Sequence, residues 1–245
     1  MGVLLIFQLL IPGEILATSD AAKQHGVIRK PLVEKLKLAV LFALIGALIY
    51  YSQPHSPLFE IGLALVTAGA LVRVWAAGHL TRDQQLTTSG PYQYSRNPFY
   101  LGRFLLIVGF ALMSGIGTDW DKIQNIVLWA ILTVALVVFF GFYMPRKEQR
   151  EGGRLQSFFG PDYETWKANV PSLFPRLTPY RMNPKPWSRD LFMGGDERFT
   201  GNKELWTTIT IFVLAGLFFW RMQSPLQPAA PRNTQPAQRF NVVNS

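Results

Sequence analysis

Two short clusters hold most of the side chains that could do chemistry. The first is Gly90-Pro91-Tyr92-Gln93-Tyr94-Ser95-Arg96-Asn97-Pro98-Phe99-Tyr100-Leu101-Gly102. It combines three tyrosines, an arginine and an amide with glycines and prolines that shape a tight turn. The second is Lys147-Glu148-Gln149-Arg150-Glu151, in which Lys147 and Glu151 share one helix face at a spacing of four. Tyrosine faces attract cations. Taken singly, tyrosines and basic residues also mark a membrane interface. Their density in two places on one side of the predicted bundle points to a functional site instead of anchoring alone.

Two further charges stand inside apolar runs, Arg73 and Arg103. Intramembrane charges usually face the bundle interior and mark function, which makes both candidates for binding the phosphate or carboxylate head group of a substrate. Snorkelling to the near interface is the alternative reading. Other chemistries lack their residues. The chain has no cysteine, so disulfides, thiolate metal sites and cysteine nucleophiles are excluded. His25, His55 and His79 lie far apart and predict no metal centre. No Walker A loop, GxSxG elbow or HExxH run is present. Gly115-Ile116-Gly117 ends an apolar run and reads as a turn.

The elements that position these clusters follow from composition. The 245 residues are 49% hydrophobic and 16% charged, against about 25% charged in ordinary soluble domains. A membrane span needs about 20 mostly apolar residues. Spanning helices are predicted at 36–51, 58–77, 99–117, 126–144 and 205–222. The apolar run Met1–Ile11 is a short first helix or an interfacial one. Fold class is therefore all-α: a polytopic membrane helical bundle of about five or six transmembrane helices with cytoplasmic amphipathic helices and a loop. Residues 1–35 form an N-terminal apolar segment and basic loop, 36–204 the core, 205–223 an extra C-terminal transmembrane helix and 224–245 a disordered tail.

Net charge is +9, from 24 Lys and Arg against 15 Asp and Glu. Basic residues gather in 18–37, 78–98 and 146–204, and the intervening loops carry few. The positive-inside rule places those three segments in the cytoplasm and the C-terminal tail outside. Because the charge follows topology and no recognition module is present, no nucleic-acid partner is expected. Within 146–204, Leu155, Phe158, Phe159, Tyr163 and Trp166 recur at helical spacing. Five prolines then make 170–187 an irregular loop.

The first cluster resembles the G-x-Y-x-x-x-R-H-P-x-Y-x-G signature of the isoprenylcysteine carboxyl methyltransferase and phospholipid methyltransferase superfamily of integral membrane enzymes. The second half is similar to that family's E-E-x-x-L-x-x-x-F-G-x-x-Y, here Glu151, Leu155, Phe159-Gly160 and Tyr163, followed by Val170-Pro171 and Phe174-Pro175. The resemblance covers roughly 60–180. Asn97 stands where the pattern has histidine, and Gly152 where it has a second glutamate. An asparagine donates and accepts hydrogen bonds but carries no charge.

The resemblance implies an S-adenosyl-L-methionine-dependent methyltransferase acting on a lipid-like or prenylated acceptor, by carboxylate O-methylation or amine N-methylation. It implies donor contacts from Gln84, Gln85, Leu86, Thr87, Tyr92, Asn97, Pro98, Phe99, Tyr100 and Glu151. Arg96, Asn97 and Tyr100 become the candidate catalytic residues, and Lys147 joins Arg73 and Arg103 as a candidate for binding substrate. No metal is expected. An NADPH-dependent membrane reductase of the sterol-reductase type shares the R-H-P-x-Y-x-G run and stays an alternative. A non-catalytic membrane scaffold is the other, on the strength of Asn97 and Gly152.

Overall fold

The structure is a computed structural model. It describes residue 39 and residues 43–81, 85–117, 123–193 and 201–224, the last segment with side chains from 204 onward. The readings made for Met1–Ile11, for the basic loop 18–37 and for the tail 225–245 lie outside the described residues, as does Gln84.

All regular structure among the described residues is helical. Helix α1 covers 43–51, the described end of the span expected at 36–51. Helix α2 is Ser56–Ala77 and α3 is Pro98–Met113, joined by a loop containing the 3-10 turn Gly90–Gln93. Helix α4, Ile123–Val137, runs through a π turn at Val138–Tyr143 into α5, Met144–Asn169. After an irregular stretch come the short α6, Arg189–Met193, and the final helix α7, Gly201–Gln223. Three described helices are long and apolar enough to cross a membrane: Ser56–Ala77, the continuous Ile123–Asn169, and Glu204–Gln223. The α3 helix is apolar but only 16 residues. At 1.5 Å per residue it is about 24 Å long, short of a full hydrocarbon core. It starts one residue before the expected 99–117 and stops at Met113, because Ser114–Gly117 forms a turn with Gly115 and Gly117 at positive φ.

The helix expected to end at Met144 does not stop there to make room for separate surface helices. It continues outward to Asn169. Pro145 lacks the N–H that would bond the Gly141 carbonyl, and the wider π turn just before it absorbs the defect. A second break falls at Gly160, whose φ of 47° and ψ of −120° lie outside helical space, next to Pro161. Residues 170–188 contain no helix, as their prolines predict.

Helices α2 and α3 pack back to back through glycines. A Cβ on Gly62 would fall 2.5 Å from the Gly109 carbonyl oxygen, and one on Gly69 2.8 Å from that of Gly102. Both pairs are seven residues apart on their own helix, so the two backbones touch at two levels. Close approach through small residues is the usual means of joining helices in lipid. Helix α7 closes this pair: Ile211, Ala215 and Phe218 are buried with Phe59, Val66, Ala70, Leu106 and Met113. At one end of the bundle Gln53 donates from its backbone to Ser114 at 2.8 Å. At the other, Ser188 donates to Gly78 at 2.9 Å. Both motif clusters lie at this second end.

Candidate active site

The turn that carries the first motif is set by its glycine and its prolines. Gly90 has φ +58°, and a Cβ there would lie 2.3 Å from Cδ2 of His79. Only glycine satisfies both limits. His79 is buried, with Nδ1 3.0 Å from Ser89 Oγ. Its desolvation holds the imidazole below its ordinary pKa. Pro98 opens α3 at the position where a missing N–H costs nothing, and keeps Asn97 out of helical space at φ −127° and ψ 62°. Asn97 therefore sits at the N-cap, yet its amide makes no capping bond. It donates instead to the Ser172 carbonyl at 3.0 Å and to Ser172 Oγ at 3.3 Å.

That crossing joins the two motif halves. The loop after α5 runs along the turn: Arg96 donates from its backbone to Pro171 at 2.9 Å, Arg176 to Tyr94 at 3.0 Å and Tyr180 to Gln93 at 3.0 Å. The Arg96 side chain reaches Glu148 on α5 at 2.6 Å. Ser172 Oγ donates to the other oxygen of the same carboxylate at 2.5 Å. Glu148 thus ties the arginine of one motif to the loop that follows the other. No local spacing in the sequence relates Glu148 to Arg96. Ser172 was missed for the same reason.

The remaining candidates fall in four places. Tyr92 is buried with Ala76, Tyr163, Trp166 and Val170, and Leu86, Phe99 and Leu155 pack on that cluster. Trp166 Nε1 donates to the Tyr92 carbonyl at 3.1 Å. Glu151 lies on α5 one turn before Leu155, which packs on this cluster. It is paired with Lys147 at 2.7 Å. Lys147 also sits 4.2 Å from the centroid of the buried Tyr100 ring. Arg103 lies over Tyr100 at 5.2 Å and over Tyr143 at 5.0 Å, and donates to the Tyr143 hydroxyl. Tyr100, Arg103 and Lys147 therefore form one group. Arg73 is buried and paired with Glu204 of α7, and its guanidinium carbon lies 5.5 Å from the Phe99 ring centroid. In the loop before the turn, Thr87 Oγ1 is 3.0 Å from Thr81 Oγ1, and Gln85 accepts from Lys185.

Beside the Glu148–Ser172 contact is a groove of about 640 Å³. Phe140, Met144 and Pro145 form one wall, Ser172, Leu173 and Phe174 the other, with Glu148 and Gln149 at its polar end. It lies where the long helix leaves its apolar stretch. Two buried donors of this region have no hydrogen-bond partner among the described residues: Thr88 Oγ1 and Arg96 Nε. Among the described residues no group of three or more His, Cys, Asp or Glu could hold a metal ion.

Residues 58–144 match a family model described as phospholipid methyltransferase. The chain is 30% identical over 126 residues to the nickel-cobalt-cadmium resistance protein NccN of Alcaligenes xylosoxydans xylosoxydans, covering 51% of this chain and 53% of that one. It is 30% identical over 123 residues to the cobalt-zinc-cadmium resistance protein CzcN of Cupriavidus metallidurans, covering 49% of each. It is 31% identical over 114 residues to the protein-S-isoprenylcysteine O-methyltransferase of Schizosaccharomyces pombe, covering 46% of this chain and 43% of that one. The chain spans about half the length of these curated relatives. No solved structure matches it.

Proposed function

We propose, from the match of residues 58–144 to the phospholipid methyltransferase family model, that the protein transfers a methyl group from S-adenosyl-L-methionine to a lipid-like acceptor at the membrane face carrying both motifs. The observation that carries this reading is the convergence of those motifs. Arg96 and Asn97 of the turn meet Glu148 and Ser172 of the helix and loop. Two sequence runs about 50 residues apart are thereby held as one rigid unit.

The residues fit such a donor. Tyr92, Tyr163 and Trp166 form a buried aromatic cluster on which Phe99 packs, and aromatic surroundings favour an adenine ring or a sulfonium cation bound at their edge. Glu151 supplies a carboxylate for an ammonium group, with Lys147 holding it when the site is empty. Thr88 Oγ1 and Arg96 Nε are buried polar atoms awaiting partners. When bound, S-adenosyl-L-methionine would supply a methyl group already activated by its positive sulfur. The chain's own contribution is then alignment, and well-oriented reactants gain about 7–11 kcal/mol. Tyr100, fixed between Lys147 and Arg103, would shape the wall where donor and acceptor meet.

The groove between Phe140, Met144, Leu173 and Phe174 supports an acceptor with an apolar chain. Its polar end at Glu148 and Gln149 would face the reacting head group. Incubating the purified protein with methyl-labelled S-adenosyl-L-methionine and a total membrane lipid extract tests the reading. Label should pass into an organic-soluble product. Glu151→Gln should lose most of it while remaining inserted, because a charge-assisted contact of about 2–5 kcal/mol disappears. Lipid that stays unlabelled with the wild type would remove the methyltransferase reading.

A further inference from the structure

The proposed site draws on the turn at 90–102 and on α5. It leaves out α7, which lies beyond the matched residues 58–144. Glu204, in the first turn of α7, is buried. Both of its carboxylate oxygens accept from Nη2 of Arg73, at 2.8 and 2.7 Å. Arg73 is itself 4% exposed. Its stem crosses α3 where Gly102 leaves room, since a Cβ at 102 would fall 2.5 Å from Arg73 Cγ. The other terminal nitrogen, Nη1, points to the Phe99 carbonyl at 3.4 Å, and the guanidinium carbon lies 5.5 Å from the Phe99 ring centroid. Phe99 stands between Pro98 and Tyr100, inside the motif turn. A chain of contacts thus runs from the last membrane helix to the residues proposed to face the donor.

We propose that Glu204 is a positioning residue for the methyl-donor site. It holds the Arg73 guanidinium against the Phe99 carbonyl and ring, and so fixes the first turn of α3, with Asn97 and Tyr100, against α5. The inference rests on the methyltransferase reading. The physical need for a carboxylate is clear. An unmatched guanidinium at this depth is costly and moves toward water along its flexible stem, which would take it off Phe99. Glu204 keeps the charge matched in place.

Wild type, Glu204→Gln, Glu204→Asp and Arg73→Gln, each as the full chain in detergent micelles, provide the test. One readout is amide hydrogen exchange at residues 100–103, which needs no ligand. The other is equilibrium binding of radiolabelled S-adenosyl-L-methionine. Glu204→Gln should speed exchange at 100–103 while 106–113 stays protected. It should also weaken donor binding about ten- to a hundredfold, the scale of a small misplacement. Glu204→Asp keeps the charge and should recover part of both effects. Arg73→Gln should show the same loss, and adding Glu204→Gln to it should cost nothing more, since both act through one contact chain. If Glu204→Gln fails to insert, the Asp variant and Arg73→Gln carry the same comparison. Variants that melt at lower temperature but bind donor as the wild type does overturn the proposal, leaving the pair a purely structural tie. A wild type that binds no donor overturns the methyltransferase reading and this inference with it. Donor binding by the wild type that all variants retain overturns this inference alone.

Discussion

At the scale of single residues, Asn97 shows how the chain replaces an expected group with a different contact. Its amide spans the gap to the Ser172 backbone and hydroxyl, a link that depends on its being a donor. Asn97→Ala should destabilise the folded protein by about 0.5–1.5 kcal/mol, the net worth of a hydrogen bond, since Ser95 Oγ still donates to the Ser172 carbonyl at 3.2 Å. Asn97→Asp should be worse, because an acceptor-only carboxylate would face the Ser172 carbonyl and the nearby Glu148 charge. Thermal unfolding in detergent measures both, and an Asp variant as stable as the wild type would mean the amide is not donating there. His79 gives a pH dependence of known sign. Burial lowers its pKa from an ordinary 6.5, so the folded chain binds this proton less readily than the unfolded chain. Its contribution to stability is complete above the ordinary value and is lost as pH falls through the lower, folded one. The unfolding midpoint should drop on acidification below about pH 6.5, and His79→Gln should flatten part of that drop. An equal drop in the variant would assign the acid sensitivity to other groups.

At the scale of elements, the spacing of glycines decides how α2 and α3 meet. A methyl at Gly62 would press on the Gly109 carbonyl at 2.5 Å and the Met113 backbone at 2.8 Å. Backbone cannot step aside as a side chain can, so Gly62→Ala should destabilise by about 1–3 kcal/mol. Gly153, in α5, meets nothing within 4 Å, and Gly153→Ala should stabilise by about 0.5–1 kcal/mol through helix entropy. Opposite signs from the same chemical change, read as unfolding midpoints, check the packing. The elements also mark what sequence could reveal. Apolar runs predicted α2, α4 and α7 because span length is written in composition alone. The run of prolines predicted the loop at 170–187. The continuation of α4 into α5 was hidden, since Pro145 reads as a stop and only the π turn shows how the helix passes it. In the site, Tyr92, Asn97, Tyr100 and Glu151 were legible as motif letters. Glu148, Ser172 and Glu204 were not, because their partners Arg96, Asn97 and Arg73 come from distant segments. One clue to Glu204 was present: an acid opening one apolar helix and an arginine inside another are natural partners in lipid.

At the scale of the whole molecule, charge and geometry divide the bundle into two unlike ends. The end with Ser52, Gln53 and Ser114 has no lysine or arginine among its described residues from 52 to 57 or 114 to 117. The opposite end carries both motif halves, the Arg96–Glu148 and Lys147–Glu151 pairs, and the extension of α5. The positive-inside rule predicts an orientation from this asymmetry, with the basic end cytoplasmic, the side on which the proposed reading would have a water-soluble methyl donor enter. The chain has no cysteine, so single cysteines can report each end without background. Gln53 and Ala168 are both exposed, one at each end, and neither substitution removes a charge or buried packing. In intact cells a membrane-impermeant maleimide should label Gln53→Cys at once. Ala168→Cys should stay unlabelled until the membrane is permeabilised. The reverse pattern would place Glu151 and the motif turn outside, away from the cytoplasmic donor pool, and would count against the donor assignment more heavily than any single substitution in the site.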